Sequence, residues 1–398
     1  MRNRVTVTSR RGWLARLSGS IRAVVFGLVL FVLAFPLLFW NEGRAVETAR
    51  SLTEGAGIVT SISAEPVAPA NEGRLVHVKG FSKTEEVLRD DTFGISETAV
   101  KLDREVEMFQ WVESSSSSTK KKLGGSEVTT TSYDYTREWR SDLLDSSRFE
   151  SPDGHENPQA LPYESKSFTA SSVKLGAFEL SPSQVARLDR REVLPVNSPS
   201  GPLPPRARVH DGLFFIGRDP ASPEVGDVRV RFTVVRPGAV SVVARQVGAS
   251  FEPYRAEAGG SVFLLEEGLA SADAMFESAE AANTTLTWGL RLFGFGLMFF
   301  GLATVFKPLA VAGDVVPLVG RLLGAGVGLV AGLVAAFLTF VTVGFAWFVY
   351  RPLLGLTLVG LGVGALSLLA RASRRVNASL PPPPPPPPPA FSRSAEAE

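Results

Sequence analysis

Long stretches of the chain run without a single charge. Ala23 to Trp40 is 18 residues long and Leu322 to Tyr350 is 29, and either can cross a hydrocarbon core about 30 Å thick. A third apolar run, Trp288 to Phe306, holds only Arg291, one turn from its start, where a long side chain snorkels to the headgroups. A fourth, Leu353 to Ala370, follows the break at Arg351-Pro352. Between the first and second runs the pattern changes to short β-branched or aromatic segments, several of them alternating: Arg74 to Lys79, Val106 to Glu113, Val128 to Tyr135, Val228 to Val235, Val240 to Val247 and Val262 to Leu265. The expected fold class is a multi-pass α-helical membrane protein, with four transmembrane helices and a large β-rich α+β extramembrane domain inserted between helices one and two.

In residue numbers, this reading gives a basic tail at 1–22, helix one at 23–40 and the β-rich domain at 41–287. Helix two is 288–306, an interfacial loop 307–321, helix three lies within 322–350, and helix four is 353–370. A tail follows at 371–398. Inside the domain, helix one is expected to continue for a few turns to Gly55 or Gly57, and Ser181 to Arg191 reads as a short helix capped by Ser181 with Pro182 in its first turn. The Ala- and Glu-rich segment Ser271 to Thr285 reads as a helix running into the second crossing. The five-serine run 114–118, three lysines and Gly124-Gly125 between Val112 and Val128 suit an exposed hairpin connection. Pro195 to Pro205 reads as a linker, and Pro381 to Pro389 as a polyproline II rod.

Charge orients this scheme. Arg2, Arg4, Arg10, Arg11, Arg16 and Arg22 precede the first run with no acid among them, and Arg371, Arg374 and Arg375 follow the last. Both termini are therefore expected in the cytoplasm and the domain on the other side. Phe39, Trp40 and Asn41 stand where a cleaved leader would carry small residues, so the first run reads as an uncleaved anchor.

Gly320, Gly324, Gly328 and Gly332 recur every four residues, and Ala336 extends the row; Gly360 and Gly364 are a smaller counterpart on helix four. Such a stripe lets another helix approach closely, either within the chain or in a homo-oligomer. With only Thr339 and Thr342 polar at depth, an ion pathway ranks below a scaffold.

The 398 residues contain no cysteine, which excludes disulfides and thiolate chemistry. His77, His155 and His210 are far apart and lack the spacing of zinc hydrolases; His77 reads as a packed strand residue and His155-Glu156 as a surface turn. Phosphate-cradling loops, nucleophile elbows and dinucleotide fingerprints are missing from the sequence, since the regular glycines lie in apolar runs. Glu138, Arg140 and Asp142 around Trp139 read as a solvated edge. No catalytic, cofactor-binding or metal-ligating residue is assigned, and no cofactor or nucleic acid is expected.

Several stretches resemble the transmembrane protein 43 family, also called LUMA. They include Asn-Glu-Gly-Arg-Ala at 41–45, Asn-Glu-Gly-Arg-Leu-Val-His-Val at 71–78 and Val-Glu-Met-Phe-Gln-Trp-Val-Glu at 106–113. Gly-His-Glu-Asn-Pro at 154–158, Pro-Glu-Val-Gly-Asp-Val-Arg-Val at 223–230, Thr-Trp-Gly-Leu-Arg at 287–291 and Phe-Val-Tyr-Arg-Pro-Leu at 348–353 continue the pattern. The resemblance implies four membrane helices and a large lumenal domain in the endoplasmic reticulum and inner nuclear membrane, or a periplasmic domain in a bacterium. It also implies a role in organising membrane protein complexes, and it brings no catalytic residues. The expected function is thus a membrane scaffold whose partners are membrane lipid, other membrane proteins and its own copies. The alternatives are an enzyme acting near the bilayer surface and an oligomeric channel.

Overall fold

The computed structural model describes residues 4–196, 203–353 and 357. Three long helices dominate it: α1 (Trp13–Ile58), α2 (Ala272–Gly313) and α3 (Pro317–Tyr350). All three are long and apolar enough to cross a membrane. The expected fourth helix, with Gly360, Gly364 and the polyproline run, lies outside the described residues.

Neither α1 nor α2 stops where its apolar run ends. α1 carries on from Trp40 to Ile58. α2 begins at Ala272, where the Ser271 hydroxyl accepts from the Ala274 N–H at 3.2 Å and Asp273 sits in the first turn, both favourable at a helix N-terminus. The 307–321 segment differs from the expected interfacial loop. α2 passes through Pro308 to Gly313, and only Asp314 to Val316 separate it from α3. Proline is tolerated inside a helix of this kind because neighbouring helices compensate for the lost hydrogen bond.

The domain is built from two antiparallel-dominated sheets. The first has β1 (Arg4–Arg11) at its edge, then β4 (Glu127–Arg140), β3 (Lys101–Lys121) and β5 (Val228–Val235), with short strands beyond. In the second, β2 (Leu75–Lys83) pairs with β6 (Ala239–Val247), and the path β6, Ser250–Glu252, Phe178–Glu179, Lys174–Leu175, β2 returns to β6 as a closed circuit. Val76, Val78, Leu102, Phe93, Phe178, Phe214, Phe232 and Val242 form the buried core. A second cluster, Leu52, Leu75, Val243, Val262, Met275 and Phe276, joins the inner ends of α1 and α2 to β2 and β6. The expected run Val262 to Leu265 is split into Ser261–Val262 and Leu264–Glu267, each paired with a different strand.

Three expectations are corrected here. The helix at 181 is one turn, Pro182–Val185, closed by a capping box between Ser181 and Gln184, because Arg191–Leu194 is taken by β5. The Ser/Lys segment is not a loop. β3 and β4 continue as paired strands to Lys121 and Glu127, with Ser117 bonded to Thr131 at 2.8 Å and Thr119 to Thr129 at 3.0 Å. The β-branched threonines facing the serines stabilise that pairing. Nor is residues 4–11 a free tail: their alternation of Val5 and Val7 with polar neighbours forms β1, paired residue for residue with β4 from Arg4↔Asp134 to Arg11↔Glu127.

The resulting three-stranded ribbon is long. Twenty-one residues of β3 at about 3.3 Å each span ~69 Å; forty-six residues of α1 at about 1.5 Å each span ~69 Å. The ribbon tip accordingly meets the far end of the helices. Gly124 N–H donates to the Val315 carbonyl at 3.0 Å, Lys121 Nζ is 2.7 Å from Asp314, and Arg16 bonds Asp314 at 2.5 Å, Glu127 at 3.0 Å and the Gly125 carbonyl at 2.7 Å. Trp13 packs on Gly125, whose φ of +72° leaves no comfortable place for a side chain.

Candidate functional site at the helix junction

At the opposite end, where the helices leave their apolar zone, a buried polar cluster joins α1, α2 and α3. Glu42 is 1% exposed. Its carboxylate accepts from Arg291 Nε at 2.6 Å and Nη2 at 2.8 Å, and from the Trp347 indole at 2.7 Å. The Arg291 guanidinium lies over Trp288 at 4.7 Å and Trp347 at 5.6 Å. One turn on, Asn41 donates to the Thr287 carbonyl at 3.1 Å, and Arg44 donates to Asn283 and Thr287 at 2.9 Å each. Asn283 closes the set by donating to the Ala45 carbonyl at 3.0 Å. A buried charge is tolerated only when paired and hydrogen-bonded, and Glu42 meets both conditions through two other helices.

The helices can meet this closely because glycines face each other farther along. A Cβ on Gly301 would come within 2.7 Å of the Phe31 backbone nitrogen and 2.8 Å of the Gly27 carbonyl; one on Gly294 would collide with Leu38. The expected stripe on α3 is placed differently. Gly320 packs on Asp314, Gly324 only reaches Ala310, Gly332 approaches the Phe299 ring, and Gly328 has nothing within 4 Å. The buried positions of α3 are Gly320, Ala331, Ala335, Thr342 and Ala346, with Ala336 half-buried beside them.

The histidines divide. His77 is 3% exposed, with Nδ1 at 3.0 Å from Ser61 Oγ and Nε2 at 3.1 Å from the Ala270 carbonyl, so both ring nitrogens are spent on structure. Burial, aided by Lys79, lowers its pKa against the opposing pull of the Ala270 carbonyl. The unfolded chain then takes up the proton first. The contribution to stability is full above about pH 6.5 and falls as pH drops toward the lowered folded value. Thermal unfolding of the full chain in detergent should therefore show a midpoint that declines below that pH, and His77→Gln should flatten the decline.

His155 is not on a surface turn. It is 3% exposed, stacked 4.0 Å from the Tyr135 ring and edge-on to Trp111, with Nδ1 at 3.0 Å from the Ser151 carbonyl. Tyr135, whose hydroxyl donates to Glu113 at 2.6 Å, has its pKa pushed up to about 12 by burial and that carboxylate. His210 stays half exposed beside Asp211. Trp139 packs between Phe109 and the Arg229 guanidinium, so only its acidic and basic neighbours form a solvated edge. Among the described residues no group of three or more His, Cys, Asp or Glu is placed to hold a metal ion.

Sequence reading passed over the junction because its members are far apart: Glu42 and Arg291 are separated by 249 positions, Glu42 and Trp347 by 305. The signal was present in another form. Asn41, Glu42 and Arg44 belong to the Asn-Glu-Gly-Arg-Ala stretch, Thr287, Trp288 and Arg291 to Thr-Trp-Gly-Leu-Arg, and Trp347 immediately precedes Phe-Val-Tyr-Arg-Pro-Leu.

Long apolar helices running unbroken into a β-rich domain, and a polar lock where they enter it, define a membrane protein with a large β-rich domain packed on the ends of its helices. The family model described as Transmembrane protein 43 matches residues 108–352. Transmembrane protein 43 of Mus musculus is 39% identical over 361 residues, covering 88% of this chain and 90% of the mouse protein. The Homo sapiens protein is 38% identical over 371 residues, covering 90% and 92%. A Transmembrane protein 43 homolog of Drosophila melanogaster is 34% identical over 360 residues, covering 87% and 94%. The chain belongs to the transmembrane protein 43 family. No solved structure matches it.

Proposed function

We propose that this chain is an integral membrane scaffold that organises membrane protein complexes through its helices and its extracytoplasmic domain. The observation that carries this reading is the ribbon. Its outer half, Ser114 to Lys121 with Glu127 to Asp134 and Arg4 to Arg11, extends from the domain to the start of α1, alongside the apolar run of that helix. Its side chains are mostly Ser, Thr, Lys and Arg. A sheet edge of this kind facing lipid leaves backbone groups unsatisfied at several kcal/mol each, so at membrane depth it needs protein or water against it. A single copy leaves Ser114 to Lys121 exposed. The scaffold reading supplies the cover as a second copy or a partner protein. In the animal relatives' setting the domain would face the lumen of the endoplasmic reticulum, with both chain ends cytoplasmic.

The absence of native cysteine makes the test clean. Single cysteines at Ser116 or Thr131 should crosslink in the membrane to a second copy or to a discrete partner identified by mass spectrometry, while Phe340→Cys, on an exposed apolar face, should not. Ribbon cysteines that react freely with a water-soluble maleimide and crosslink to nothing would overturn the scaffold. That result would favour the alternative of an enzyme acting near the bilayer surface, a monomer whose ribbon faces water.

A further inference from the structure

Beside the Glu42–Arg291 lock the three helices part and leave a cleft of about 430 Å³, whose walls include Ala49 and Thr53 of α1, Asn283 and Trp288 of α2, and Arg351. A second cleft of about 340 Å³ shares Ala49, Thr53 and Arg351 and adds Arg50. Arg351 stands between the two. Arg291 is neutralised by Glu42, but the side chain of Arg351 has no hydrogen-bond or ion-pair partner among the described residues, and Arg50 donates only to the Tyr350 carbonyl at 3.0 Å. Two uncompensated guanidinium groups thus face one small space. Among the described residues the single acid lining either cleft is Glu280, on the wall of the first, exposed and likewise unpaired.

The position of the clefts restricts what fills them. They open at the boundary between apolar and polar surface, where Trp288 is 63% exposed and Leu292 70%. Tryptophan is enriched at that level of a bilayer, and guanidinium binds phosphate with paired, charge-assisted hydrogen bonds.

We propose that this double cleft binds the headgroup of a membrane phospholipid, its phosphate held by Arg351 and Arg50, its amine by Glu280, and its acyl chains lying along Trp288 and Leu292. The ligand chemistry is a phosphodiester carrying a primary amine, as in phosphatidylethanolamine. The proposal is independent of the scaffold reading, since it concerns a lipid and not a protein partner.

Native mass spectrometry of the full-length protein, after incubation with defined lipids in detergent, tests it. Phosphatidylethanolamine should be retained in preference to phosphatidylcholine, and Arg351→Ala should lower that retention roughly tenfold, the loss of one to two charge-assisted bonds. Glu280→Gln should erase the preference over phosphatidylcholine while leaving phosphatidylglycerol, which has no amine, bound as before. Thermal unfolding of Arg351→Ala without lipid should match the parent chain, which separates lost binding from lost folding. Equal retention by the parent, Arg351→Ala and Arg50→Ala overturns the site. So does displacement of the lipid by inorganic phosphate at matched concentration, which would make the clefts a soluble-anion site.

Discussion

Replacing Glu42 by alanine is expected to be the most damaging single change in the helices, costing about 3–5 kcal/mol, because it leaves the partly buried Arg291 charge without its partner. The indole of Trp347 loses its acceptor in the same step. The expected result is a large fall in the thermal midpoint of the purified full chain. The companion change sharpens the test. Arg291→Met alone should also be severe, since it strands the Glu42 carboxylate, whereas Glu42→Leu combined with Arg291→Met should recover much of the loss, as apolar replacement of a whole buried pair is often near neutral. Additive single effects would show that the pair does not act as a unit.

The second large effect is expected at Gly301. A leucine there has no room to relax, because the atoms it meets are the backbone nitrogen and Cα of Phe31 and the carbonyl of Gly27, and backbone cannot swing aside as a side chain can. Overpacking usually costs about 1–3 kcal/mol, but here α1 and α2 must separate. That separation pulls on the Asn41, Arg44 and Asn283 bonds farther up the same helix pair. Gly301→Leu should therefore fail to accumulate as folded protein, or melt far below the parent. Gly328→Leu, with open space around it, should leave the isolated chain's stability unchanged. If Gly328→Leu nevertheless abolishes in-membrane crosslinking between copies, the α3 stripe is used between molecules rather than within one.

These two cases show what the sequence makes legible. The apolar runs are visible because length and lack of charge are local properties, and the inward continuation of α1 and α2 follows from the composition of residues 41–58 and 272–285. Strands such as Val228–Val235 are readable for the same reason: β-branched alternation is local and one face is buried. Of the ribbon, Val128 to Tyr135 was readable as a strand, but Ser114 to Lys121 and Arg4 to Arg11 were not. Its Ser, Thr and Lys residues have the composition of a loop, and its strand character comes from pairing β1 with β4, more than a hundred residues away. Gly320 to Gly332 form a visible stripe, yet the closest approach, between α1 and α2, uses Gly27, Gly294 and Gly301, whose significance depends on which helix faces which. The burial of His155 likewise depends on Trp111 and Tyr135, two strands distant in sequence.

The ribbon and α1 have one more consequence, and it is mechanical. The two are nearly equal in length, joined at one end by Arg16, Asp314, Lys121 and Glu127 and at the other through the domain core. α1 acts as a strut and the ribbon as its tie, so tilting the helices against the domain means stretching a hydrogen-bonded strand pair. A force applied to the domain by whatever it grips would thus reach the far end of the helices as a pull on Asp314, at the turn between α2 and α3.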